Sequence, residues 1–67
     1  VPLEIKRIIA CIPKDPLWDF EYDENFFWVI FNEKRIFSFF RLDLIGNMEY
    51  CKKQLECVIL TKNKELS

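Results

Sequence analysis

The stretch FFWVIFNEKRIFSFF, Phe26 to Phe40, decides the fold. Two apolar blocks, Phe26 to Phe31 and Ile36 to Phe40, flank four polar residues, Asn32, Glu33, Lys34 and Arg35. A short polar interval between two aromatic and β-branched runs predicts a β-hairpin. Phe26 to Phe31 has no polar position, which predicts a strand buried on both faces at the centre of a sheet, with Trp28 in the core. The hairpin locates the core and contains no group that performs chemistry.

Outward from it, Leu17 to Tyr22 alternates cleanly, with Trp18, Phe20 and Tyr22 on one face and Asp19 and Glu21 on the other. That is a strand with one wet side, joined to the next by the polar turn Asp23-Glu24-Asn25. The third strand is expected over Ile36 to Asp43, with Ile36, Ser38, Phe40 and Leu42 on one face and Phe37, Phe39 and Arg41 on the other. Links this short imply an antiparallel meander with the second strand in the middle. Before the strands, Val1, Ile5, Ile8, Ile9 and Ile12 stand at helical spacing, with Pro2 and Glu4 in a first turn and Pro13 as the stop. Four isoleucines make a strand the alternative there. After the strands, Gly46 is the only glycine and the cheapest place for positive φ. Asn47 follows as a helix N-cap, ahead of a Met48, Cys51, Leu55, Val58, Ile59 stripe. Two further strands over Met48 to Lys52 and Leu55 to Lys62 are the alternative, and Lys62 to Ser67 reads as a fraying polar tail.

Sixty-seven residues make one domain, 1–67, and a chain this short buries only roughly 60% of the surface exposed when it is unfolded. Seven Phe, two Trp and two Tyr compensate, since each ring buries on the order of 150 to 250 Å². With 51% apolar residues, some apolar surface must remain outside, and a contiguous patch of it marks a contact site. A homodimer or a partner surface is therefore expected. Net charge is −1, so no global excess draws the chain to nucleic acid or anionic lipid. No apolar run approaches the ~18 residues of a membrane span, and no basic-then-apolar leader opens the chain, so the expectation is a soluble cytoplasmic protein. Heavy use of Phe, Ile, Asn and Lys looks like coding from an AT-rich genome, of bacterial, phage or plasmid type.

The chain has no His, which removes His-based metal sites, Ser-His and Cys-His catalysis and the usual general base near neutral pH. Three cysteines, Cys11, Cys51 and Cys57, are an odd number and read as reduced thiols. Cys51 and Cys57, six apart, lie about 9 Å apart along a helix or about 20 Å apart on a strand, too far to bond. The acidic run Asp19, Glu21, Asp23, Glu24 lacks the glycine of a calcium loop and more often protects an edge strand than binds anything. No metal or cofactor is expected, and no enzyme.

Two binding surfaces remain. Trp18, Asp19, Glu21, Tyr22, Asp23, Glu24, Phe37 and Phe39 form a candidate partner-binding surface, with Trp18 as the better aromatic anchor. Lys34, Arg35, Arg41, Lys52 and Lys53 form the alternative, a basic patch for nucleic acid in which Phe37 and Phe39 would stack bases. An order of helix, three strands and helix, with Lys52 and Lys53 near the start of the second helix, resembles the double-stranded RNA-binding domains. The Gly-Pro-His hairpin and Ala-rich second helix of that family are absent, and a likeness of topology carries no function. The expected architecture is α+β: a three-stranded antiparallel meander with an N-terminal and a C-terminal helix, against a small all-β barrel as the alternative. The expected function is a small protein-interaction module, an inhibitor or adaptor, whose partner is another protein or a second copy.

Overall fold

In the computed structural model, which describes residues 1–67, the chain runs α1 (Leu3–Ile9), β1 (Trp18–Tyr22), β2 (Phe26–Phe31), β3 (Lys34–Phe40), α2 (Arg41–Gly46) and α3 (Met48–Leu66). The strands form an open antiparallel sheet in the order β1-β2-β3, so the architecture is the α+β meander and no barrel closes.

The hairpin turn is tighter than its four polar residues imply. Lys34 pairs with Phe31, so only Asn32 and Glu33 form the loop, at φ 52° and 67°. Two central residues at positive φ belong to the type I′ turn, whose twist matches that of the strands. Gly46, the expected site of positive φ, has none; Asn32 and Glu33 carry it instead.

Register then shifts within β3. Phe37 pairs with Val29 and Arg35 with Ile30, which leaves Ile36 as an extra, bulged residue. The bulge turns Ile36 to the same side as Phe37, and both pack against the core. Strict alternation had placed Ile36 with Ser38 and Phe40. Nor does β3 reach Asp43: it ends at Phe40, and Arg41–Gly46 forms a short helix that sends Leu44 into the core.

All three helices cover one face of the sheet. Ile5, Ile8 and Ile12 from the α1 segment, Leu44 from α2, and Met48, Cys51 and Leu55 from α3 form one cluster with Trp18, Phe27, Val29 and Phe39. α1 is helical because Glu4 sits in its first turn, Lys6 and Arg7 in its last, and its Ile5 and Ile8 share the buried side. Val1 does not join them and is exposed. α3, 19 residues and about 28 Å long, nearly spans the 34 Å long axis. It runs to Leu66, through the segment expected to fray. Asn47 stands at its N-cap position, yet its side chain makes no capping hydrogen bond; its carbonyl accepts from Cys51 N–H at 3.1 Å.

Candidate functional site: the open sheet face and the α2 corner

With every helix on one side, the other face of the sheet has no cover. Cross-strand pairing defines what it presents: Glu21, Trp28 and Ser38 in one row, Asp19, Ile30 and Arg35 in the next, Phe26 and Phe40 at the end near α2. Phe26 stacks on Trp28 at 5.7 Å and touches Phe40 at 5.1 Å between ring centroids. The Arg35 guanidinium lies 4.1 Å above the Trp28 ring and donates through Nη2 to Glu21 Oε2 at 2.7 Å. This cation–π contact contributes about 0.5–1 kcal/mol at an exposed site, and the ion pair, with both side chains about half exposed, adds little. β2 thus meets its second apolar face by packing aromatics on one another and laying a guanidinium across them.

The apolar surface continues past the sheet onto α2. Phe40 (59% exposed), Leu42 (81%) and Ile45 (65%) stand out from that corner, and Tyr50 of α3 lines a neighbouring hollow with Phe40 and Asp43. Phe26, Phe40, Leu42 and Ile45 wall an open groove of about 650 Å³, which Glu24, Asn25, Arg41 and Asp43 complete. Total accessible surface is 4906 Å², against about 4,500 Å² for an average monomer of this mass, so the molecule carries excess surface.

Arg41 fastens this corner. It is mostly buried, donates from Nη2 to Glu4 Oε1 at 2.7 Å and from Nη1 to the Asp23 carbonyl at 2.8 Å, while its backbone N–H donates to the Asn25 carbonyl. One side chain thereby ties the first turn of α1 to the β1–β2 turn. Its Nε is buried without a hydrogen-bond partner; the Tyr22 ring, 5.8 Å away, offers the guanidinium partial compensation. The hydrogen bond from Arg41 holds the Glu4 carboxyl below its ordinary value. In the β1–β2 turn, Asp23 Oδ1 accepts from the N–H groups of Phe26 and Asn25, both at 2.8 Å, and these bonds lower its pKa in turn.

The expected partner-binding residues divide accordingly. Asp19, Glu21, Tyr22 and Glu24 are at the surface, and Asp19 and Glu21 lie on the open face. Asp23 is exposed but engaged in forming its turn. Trp18, the expected aromatic anchor, is a correction: only 8% exposed, it packs on Phe31 at 4.8 Å inside the core. Phe39, 7% exposed, and half-buried Phe37 also point into the helical layer, because they pair with the inward residues Phe27 and Val29, while Ser38 between them pairs with Trp28 on the open face. Trp28, expected in the core, is the tryptophan of the open face. The expected site residues leave out Phe26 and Trp28, half-buried on the open face, and Phe40, Leu42 and Ile45, exposed at the α2 corner. A strand apolar on both faces needs a second cover or becomes a binding face, which points to the first two, whereas the sequence pattern assigns Leu42 to a strand continuation and Ile45 to the turn after it.

The basic residues are not gathered. Lys34 and Arg35 stand at the hairpin end, Arg41 is held by Glu4, and Lys52 and Lys53 share a hollow on the helical side with Glu49 and Glu56, Lys52 lying 3.7 Å from the Glu49 carboxylate. Phe37 and Phe39 face inward, so they do not form a stacking platform. Cys11, Cys51 and Cys57 are all free thiols; burial, aided by the Asp43 charge, raises the Cys51 pKa. No group of three or more Cys, Asp or Glu is placed to hold a metal ion, and no helix is long and apolar enough to cross a membrane. Comparison with known proteins found no matching family model, no matching curated protein and no matching solved structure.

Proposed function

We propose that this chain is a small non-enzymatic interaction module, of the inhibitor or adaptor kind, that seats a partner protein on the apolar surface running from Trp28 and Phe26 across Phe40 to Leu42 and Ile45. The observation that carries this reading is the concentration of exposed apolar side chains on and beside α2, contiguous with an uncovered sheet face. An apolar centre with a charged rim is the anatomy of a contact surface, and here Asp19, Glu21 and Glu24 supply the rim. A second copy of the chain is the alternative occupant. Three free thiols support a reducing compartment, the cytoplasm, as the place of action.

The test is site-specific photocrosslinking in the cells that make the protein. A photoreactive residue at Leu42 should give one discrete protein adduct, lost when Ser38→Arg obstructs the open face, and a photoreactive residue at Lys64 should give none. Equal adduct patterns from both positions would overturn the reading. An adduct of twice the chain's own mass would assign the surface to a homodimer.

A further inference from the structure

The groove beside α2 has a charge that specifies its occupant, an inference that rests on the interaction-module reading. Its walls are Phe26, Phe40, Leu42 and Ile45, and its carboxylates are Glu24 and Asp43, both exposed and neither in an ion pair. Its one cation, Arg41, is already neutralised by Glu4 at 2.7 Å and bound to the Asp23 carbonyl. The groove therefore presents apolar surface between two uncompensated negative charges. A partner that brought carboxylates there would meet like charge, whereas one that brought Lys or Arg would complete two pairs.

We propose that the groove receives an amphipathic helical segment of another protein, apolar on the face it inserts and carrying Lys or Arg beside that face. Two features select a helix over an extended peptide. Leu42 and Ile45, three residues apart on α2, make an exposed ridge of the kind that packs between the side-chain rows of a second helix. Half of the groove's eight lining residues, Arg41, Leu42, Asp43 and Ile45, also belong to the helix α2, whose backbone offers an extended peptide no ladder to join.

The whole chain, immobilised, is panned against a random peptide library displayed on phage, at low salt and again with added salt. Enriched peptides should show apolar residues at i, i+3 or i+4 and i+7 with an excess of Lys and Arg. Their affinity should fall about tenfold or more for Ile45→Lys, as for a central contact residue. Glu24→Lys together with Asp43→Lys should weaken the same peptides and flatten their salt dependence. All these positions are exposed, and a circular dichroism melt confirms that each variant folds. Peptides without a basic excess, peptides indifferent to Ile45→Lys, or no enrichment would each overturn the proposal. Light scattering that showed a dimer abolished by Ile45→Lys would give the groove to a second copy and overturn it too. Peptides lost on Ser38→Arg but kept on Ile45→Lys would overturn the groove while leaving the sheet-face reading standing. A basic peptide bound as expected, with no crosslinked partner in cells, would reverse that outcome.

Discussion

Phe27, Val29 and Phe31 point from β2 into the helical layer, whereas Phe26, Trp28 and Ile30, interleaved with them on the same strand, point away from it. The inward set meets isoleucines of α1, Leu44 of α2 and the α3 stripe. The outward set meets its own neighbours and an arginine, which leave Phe26 and Trp28 half-buried and Ile30 only 8% exposed. An all-apolar strand is therefore consistent with one covered face, provided the other is rich in aromatics able to stack and a long cationic side chain can lie across them. The inner face holds the molecule together, and the outer one is the face proposed for contact.

Truncations at matched positions test that division most severely. Phe27→Ala, at a fully buried site, should cost about 3–5 kcal/mol and leave so small a domain largely unfolded at 37 °C, as read by urea titration. Trp28→Ala should cost about 1–2 kcal/mol, the loss of two aromatic or cationic contacts, and leave a cooperative melt. Equal losses at the two positions would mean that the outer face is a second core. Leu42→Lys should change stability by no more than about 0.5 kcal/mol.

Acid should loosen the α1–sheet corner before the rest. The folded-state pKa values of Glu4 and Asp23 are both lowered, so their contribution is fully present above the ordinary values of 4.5 and 3.8 and is lost as pH falls through the depressed ones. Glu4→Gln with Asp23→Asn should melt below the native chain at pH 7 and converge with it as the pH drops toward 2. A constant gap across that range would refute the linkage. Smallest in energy, and read by rate instead, is thiol accessibility: a disulfide reagent should modify exposed Cys57 first and Cys51 only on unfolding.

Much of the fold was legible in the order of patterned segments. The meander follows from alternating segments with short polar breaks such as the Asp23 turn, and of the two elements open to the Met48, Cys51, Leu55 stripe the helix is the one that forms. What departs most from the pattern is β3, in its register and in its end. The Ile36 bulge has no mark in the sequence, and the strand that follows it continues an alternation through Leu42 that α2 in fact interrupts at Arg41. Arg41 turns the chain there because its side chain has partners in both Glu4 and the Asp23 carbonyl, contacts across 37 and 18 residues that no local pattern displays. The candidate site was less legible for the same reason. The side to which Trp18 and Trp28 face depends on where three helices dock, and α1 lies beside α2 and α3 rather than opposite them.

The bulge has one more consequence, for behaviour at high concentration. β3 is an edge strand with four aromatic or β-branched residues in Ile36 to Phe40, a composition that recruits further strands into cross-β stacks. An incoming strand that paired with Phe37 to Phe40 would lose step at Ile36 and then meet Lys34 and Arg35. Removing Ile36 to make the ladder regular would thus turn the most hydrophobic edge of this molecule into a template for fibrils.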